Sequence, residues 1–178
     1  MKYIGIDPGA KGGIVIIEDN ELTLHVIPTI KNEIDDDLLD KILFELRYGD
    51  DGEVYDCMCV LEDVHAVPKS GAAANFKFGL INGILRGLLT ANRIPFIKVA
   101  PKEWQKEAWR GVSPIKINTG KKLKSGEPKY KIDTKATSLI AAKRLFPNET
   151  FLATERSKVP HDGLVDAALM AFYCKMKY

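Results

Sequence analysis

Residues 2–18 read KYIGIDPGAKGGIVIIE, and this stretch decides the fold. Runs rich in β-branched residues at 2–7 and 13–18 predict two strands, and the residues between them, 8–12, are rich in glycine and proline as hairpin turns are. A further run at 22–27 predicts a third strand. Three consecutive strands joined by short turns predict an antiparallel meander.

The remainder of the chain alternates helical and strand patterns. A meander followed by such units predicts an α/β fold, a mixed five-stranded sheet with helices on both faces. We expect one domain over 1–178, with a basic loop insertion at about 110–132. The further predicted elements are a helix over 35–46, a strand over 54–61, a helix over 73–90, a strand over 94–99, a short helix that carries Trp104 and Trp109, a helix over 134–145, and a last helix that begins near His161-Asp162.

The composition is that of a globular chain, and the charge is unevenly distributed. Of 178 residues, 46% are hydrophobic and 28% are charged, which excludes a mainly disordered chain. Three cysteines without a CxxC pair argue against a disulfide framework and against a zinc site. The net charge of +2 hides a segment of −6 at 31–53 and one of +6 at 110–135. We expect a cytoplasmic protein with no membrane partner.

The helix predicted over 73–90 has glycines four residues apart, at Gly79, Gly83 and Gly87. Each glycine costs about 1 kcal/mol relative to alanine inside a helix. Three on one face therefore predict the close approach of another backbone, either the sheet of the same chain or a second copy of it.

Four carboxylates are the candidate functional residues. Asp7 and Glu62 each end a predicted core strand, and Asp162 and Asp166 lie four residues apart, on one face of the last helix. If the two strands are neighbours and the helix crosses their ends, the acids converge, and such oxygen ligands select Mg²⁺ or Mn²⁺. Simpler roles stay open: Asp162 as a helix N-cap, Asp166 as a partner of the helix dipole, and Glu62 or Asp63 facing solvent.

Lysines dominate the basic segment, which is flanked by Trp104, Trp109 and Tyr130. Basic residues beside aromatic ones are typical of nucleic-acid binding, and lysine favours contact with backbone phosphates over base recognition. The candidate DNA-binding residues in or beside this segment are Lys102, Lys116, Lys121, Lys122, Lys124 and Lys135. Those outside it are Lys11, Lys69 and Lys77.

Several motifs carry a family resemblance. Residues 4–9 (IGIDPG), 61–64 (LEDV) and 165–169 (VDAAL) resemble the RuvC-type Holliday-junction resolvases, which have the ribonuclease H-like nuclease fold. Residues 76–79 (FKFG) and 143–147 (KRLFP) resemble the phage and organellar-type branch of that family. The motifs occur in the family's order along nearly the whole chain.

The resemblance implies an enzyme, a crossover junction endodeoxyribonuclease that resolves Holliday junctions by paired nicks. Asp7, Glu62, Asp162 and Asp166 would be the catalytic residues and would hold two Mg²⁺ ions, for which Mn²⁺ is expected to substitute. The partners would be a four-way DNA junction and a second copy of the chain. The helix with Gly79, Gly83 and Gly87 lies where the family has part of its dimer contact.

The sequence departs from the bacterial members of the family at three points. Position 163, three before Asp166, is glycine, so we assign the metal-binding role to Asp162, with His161 as the less favoured substitute. His65 occupies the position of an aromatic residue that wedges into the junction, and we assign it to the DNA-binding set, with a loop histidine of no functional role as the alternative. The basic insertion is also longer.

Other functions stay open at this point. The enzyme could cut forks, flaps or three-way branches, or the chain could be a non-catalytic DNA-binding module of the same fold. Residues 7–13 also resemble the phosphate loop of actin-like ATPases, but those need two such domains. Neither a P-loop nor a dinucleotide-binding glycine motif is present, so we expect no nucleotide cofactor.

Overall fold

A mixed sheet of five strands forms the centre of the molecule. The structure, a computed structural model, describes residues 1–9, 11–31, 33–50, 52–65 and 71–178. The central strands are β1 (Lys2–Asp7), β2 (Gly13–Glu18), β3 (Glu21–Val26), β6 (Cys57–Glu62) and β7 (Phe96–Val99). They lie in the order β3-β2-β1-β6-β7, with β2 antiparallel to both of its neighbours, β1 and β3, and with β1, β6 and β7 parallel.

Helices cover both faces of this sheet, as predicted. They are α1 (Asp36–Arg47), α2 (Ala72–Ala91), α3 (Pro101–Ala108), α4 (Thr134–Leu145) and α5 (Asp162–Lys177). One core forms between the sheet and α1 with α2, and a second between the sheet and α3, α4 and α5. Within the described residues, every helix is too short or too polar to cross a membrane.

The alternation of side chains along β1 assigns each residue to one of these cores. Ile4 and Ile6 are fully buried against α1 and α2, and Tyr3 packs on the opposite face against α5. Because side chains alternate along a strand, Gly5 and Asp7 lie on the same face as Tyr3. The last carboxylate of this strand therefore points toward the helices α3 to α5.

Two small hairpins extend the fold. The first pairs β4 (Thr29–Ile30) with β5 (Glu33–Ile34), and the second pairs β8 (Lys116–Lys122) with β9 (Pro128–Ile132). The basic segment, predicted as a loop or hairpin insertion, contains this second antiparallel hairpin, which we call the basic hairpin. Its base is bonded to α4, because the Ile115 amide donates to Thr137 Oγ1 at 3.0 Å.

Two strands begin later in the structure than predicted. β6 begins at Cys57 and not at residue 54, because Val54 makes only an isolated bridge with Tyr48 and is 54% exposed. β7 begins at Phe96 and not at residue 94. The three cysteines, Cys57, Cys59 and Cys174, are buried free thiols.

The glycine stripe of α2 does not pack against the sheet, so that alternative is wrong. Within the described residues, no heavy atom outside the helix lies within 4 Å of a Cβ built at Gly79, Gly83 or Gly87. The residues of α2 that face the sheet are Ile81, Leu85 and Leu89. They lie two positions from the glycines, about 200° around the helix, so the stripe faces outward.

Candidate active site

The ends of β1 and β6 bring two carboxylates side by side. In the parallel pairing, Ile6 lies opposite Leu61, so Asp7 and Glu62 follow at the same level on neighbouring strands. Adjacent strands lie about 4.8 Å apart, and opposite residues point to the same face. Val60 packs in the core beneath α3 to α5, which puts Glu62 on that face together with Asp7.

A third carboxylate comes from α5, which lies directly on β1. A Cβ at Gly5 would be 2.1 Å from the carbonyl oxygen of Ala167 and 2.3 Å from the amide of Ala171. Only glycine permits this approach, because any side chain would overlap the helix backbone. The contact lies one residue from Asp166, and it therefore brings that carboxylate over the end of β1 beside Asp7.

The contacts of Gly163 explain why position 163, three residues before Asp166, is not an acid. A Cβ at this position would lie 2.3 Å from the Lys11 carbonyl oxygen and 2.8 Å from Gly12 Cα. The backbone of the turn between β1 and β2 occupies the space that an acidic side chain at 163 would need. Position 163 therefore has no room for an acidic side chain, and the assignment of the metal-binding role to Asp162 stays a prediction.

The N-cap of α5 is His161 and not Asp162, so the N-cap role considered for Asp162 is wrong. His161 Nδ1 accepts from the Leu164 amide at 3.3 Å. Burial lowers the pKa of His161, and the Lys11 charge lowers it further, while Asp162 opposes the shift. His161 thus has a structural role at the helix start, and its part as a substitute ligand stays a prediction.

The electrostatics of the carboxyl groups reflect their burial and their proximity. Burial raises the pKa of Asp7 well above its ordinary value, and Glu62, Asp166 and Asp162 raise it further in that order. Burial also raises the pKa of Asp166 to about 7, although the neighbouring Ser138 side chain lowers it in part. The pKa of Glu62 is raised by burial, although Trp104 partly offsets this. The charges of Glu62, Asp166 and Asp162 therefore act on Asp7 at the end of the sheet.

Asp162 is the outer member of this group. Its side chain is 56% exposed, and its Oδ2 accepts from Lys135 Nζ at 2.5 Å. The same bond raises the pKa of Lys135. The structure thus brings the predicted DNA-binding residue Lys135 to the edge of the carboxylate group.

The residues present fit divalent cations. Asp166 Oδ1 is buried and lacks a hydrogen-bond partner in the described part of the chain, and Asp7, Glu62 and Asp162 add carboxylate oxygens, the ligand type that Mg²⁺ prefers. Among the described residues, no three His, Cys, Asp or Glu side chains already surround one point as ligands would.

The other predicted DNA-binding residues are distributed over several elements. Lys116, Lys121, Lys122 and Lys124 are exposed on the basic hairpin, and Lys102 is exposed on α3. Their roles stay predictions, as do those of Lys11, which is exposed beside the start of α5, and His65, whose side chain is 81% exposed and 4.0 Å from Asp63. Lys77 lines a groove between α2 and β5 together with Glu33 and Asp36. Lys69 lies outside the described residues.

The sequence pattern misassigned Trp104. This side chain is fully buried, so it cannot stack on DNA, and its Nε1 donates to Glu62 Oε1 at 3.1 Å. Ser138 beside Asp166 was missed altogether. A tryptophan in an otherwise polar short helix is a signal of burial, but its hydrogen-bond partner depends on tertiary packing. Asp63, in contrast, is a surface residue that forms an ion pair with Lys98 at 2.9 Å.

Comparison with known proteins identifies the fold. No protein-family model matches the chain, and no curated protein is detectably similar to it. A solved structure of Thermus thermophilus RuvC in complex with a Holliday junction substrate has a TM-score of 0.57 and 16% identity, covering 99% of this chain and 96% of that one. Another T. thermophilus RuvC structure has a TM-score of 0.49 and 18% identity, with the same coverage. The chain thus has the RuvC-type, ribonuclease H-like fold.

Proposed function

We propose that this chain is a metal-dependent endodeoxyribonuclease that resolves four-way DNA junctions by paired nicks. The observation that carries the proposal is the convergence of Asp7, Glu62 and Asp166, from β1, β6 and α5, at one end of the sheet. Burying carboxylates together opposes their ionisation, and such arrangements cluster at functional sites. Divalent cations among them would offset the repulsion.

The chemistry follows from the ligand set. Two Mg²⁺ or Mn²⁺ ions bound by Asp7, Glu62, Asp162 and Asp166 would stabilise the charge on the attacking and leaving oxygens of phosphodiester hydrolysis. The protein's own contribution is to hold these four carboxylates on rigid elements. Lys135 and Lys11 border the group, and their charges favour the approach of a scissile phosphate.

The basic hairpin supports a DNA substrate. Of its charged residues, Glu127 is the single acid, and all six of its lysines are exposed. Its base is bonded to α4 close to Lys135, so the positive surface begins at the edge of the carboxylate group. The likeness to a RuvC structure that holds a Holliday junction favours a branched DNA over an unbranched duplex.

A homodimer is part of the proposal, because two cuts in symmetric strands require two active sites. The outward-facing glycines of α2, Gly79, Gly83 and Gly87, would allow the backbone of a second copy to approach closely. Phe76 and Leu80 on the same helix are 74% and 52% exposed, and burying them would favour association.

The experiment is a cleavage assay with Mg²⁺ or Mn²⁺ on labelled four-way, three-way, fork and flap DNAs. Wild-type protein should nick the four-way junction symmetrically, and Asp7→Asn should still bind it without cutting. Asp19→Asn, a change at the distant β2–β3 turn, is the matched control. Cleavage by Asp7→Asn would contradict the assignment. Equal cutting of all branches would indicate a general debranching nuclease, and binding without cutting by wild type a non-catalytic module.

A further inference from the structure

We propose that Trp104 is a positioning residue, whose indole N–H fixes the Glu62 carboxylate in the orientation needed to bind a divalent cation. This inference rests on the proposed metal site, but it concerns a residue outside the ligand set. It starts from one contact, the 3.1 Å hydrogen bond from Trp104 Nε1 to Glu62 Oε1.

The indole ring cannot move away from this contact. Trp104 is fully buried in the core between the sheet and α3, α4 and α5, and it is the largest of the fully buried side chains in the described residues. Its one polar atom faces the half-buried Glu62 and not a backbone carbonyl. A hydrogen bond from this fixed N–H to one carboxylate oxygen restricts the rotation of the whole carboxylate. The same bond therefore also fixes the direction of the second oxygen.

The helix that carries Trp104 is itself bonded to α5. Glu103, the preceding residue, accepts from the Tyr173 hydroxyl at 2.6 Å. Neighbouring residues of α3 thus contact a ligand-bearing strand, through Glu62, and the ligand-bearing helix, through Tyr173. The short helix α3 therefore connects β6 with α5, the two elements that carry Glu62 and Asp166.

Outer-shell partners of metal ligands usually change metal affinity or activity by about 10–100-fold when they are removed. We expect a loss of this size for Trp104→Phe, which keeps a large aromatic ring and removes the N–H. The chain offers a matched control in Trp109, at the end of the same helix. Its Nε1 is buried without a hydrogen-bond partner among the described residues, so Trp109→Phe also removes a buried N–H but no bond.

The experiment measures Mn²⁺ binding to the full chain without DNA, by calorimetry and by the EPR signal of free Mn²⁺. Trp104→Phe should weaken Mn²⁺ binding about 10–100-fold, while Trp109→Phe should change it less than about twofold. Circular dichroism and thermal melting establish that each variant is folded. If Trp104→Phe does not fold, benzothienylalanine at position 104 replaces the N–H with sulfur at nearly constant volume.

The outcomes separate the two proposals. If wild type binds Mn²⁺ and either variant at position 104 binds it equally well, the positioning role is overturned while the metal site stands. If wild type binds no Mn²⁺, the proposed function fails first. Restored cleavage by Trp104→Phe at raised Mn²⁺ concentration would support a positioning role, because a purely structural defect would not respond to the metal.

Discussion

Replacing Asp166 with asparagine should make the protein more stable at alkaline pH, in the absence of metal. Burial, with Glu62 and Asp162 nearby, raises the pKa of this carboxyl from its ordinary 3.8 to about 7. Because the folded state binds the proton more tightly than the unfolded state, ionised Asp166 destabilises the fold. The stability of wild type therefore falls as the pH rises from about 4 through about 7.

The magnitude follows from the shift. About three pKa units correspond to roughly 4 kcal/mol of unfolding free energy once the pH is above about 8. Between about pH 5 and pH 8.5, wild type should lose about 2–3 kcal/mol that Asp166→Asn does not lose. The asparagine amide in Asp166→Asn lacks a partner and lowers the unfolding free energy by the same amount at both pH values. This cost therefore cancels when the losses between the two pH values are compared. For a chain of this length the melting temperatures should diverge by roughly 5–10 °C.

Thermal or urea unfolding of both proteins across this pH range, in EDTA, provides the measurement. Asp19→Asn serves as the control, since Asp19 is exposed at the far end of β2 and has φ of 48°, a conformation that asparagine tolerates well. Saturating Mg²⁺ should then stabilise wild type more than Asp166→Asn. Parallel pH curves for wild type and Asp166→Asn would refute the reasoning, because they would mean that Asp166 is not buried among like charges.

Three further predictions test other parts of the structure. Gly163→Ala should lower the unfolding free energy by about 1–3 kcal/mol, because its Cβ would lie 2.3 Å from the Lys11 carbonyl oxygen. A urea titration that finds no loss would mean that the backbone of Lys11 and Gly12 does not rest on α5. Replacing Lys121, Lys122 and Lys124 together with glutamine should weaken junction binding and reduce its salt slope by about three units, whereas Lys41→Gln on α1 should not. An unchanged salt slope would mean that the basic hairpin is not part of the DNA interface. Gly83→Leu should shift a dimer toward monomer in sedimentation, because a large side chain would occupy the open face of α2. A dimer of unchanged stability would mean that the subunits meet elsewhere.

The arrangement of the sheet could be predicted because local patterns carry it. The apolar runs of β1 and β2 and the turn between them define the meander, and the helical spacing of α4 gives its bounds, 134–145. The proximity of Asp7 and Glu62 could be predicted because both lie at strand ends. The position of Asp166 beside them depends on Gly5, whose close approach to α5 is a tertiary contact that no local pattern reveals.

The remaining errors have one cause: a sequence pattern does not say what a side chain faces. The glycines of α2 predicted a nearby backbone equally well on the inside and the outside, and only the buried positions of Ile81 and Leu85 decide between them. Trp104 was grouped with the basic segment because of its proximity in sequence, yet its ring lies in the core. Gly163 looked like a missing ligand, whereas it accommodates the backbone of Lys11 and Gly12.

The most direct test of the central claim is anomalous diffraction from crystals grown with Mn²⁺. We predict Mn²⁺ peaks bounded by Asp7, Glu62 and Asp166, with Asp162 at the outer edge. Crystals saturated with Mn²⁺ that have no peak at this end of the sheet would contradict it.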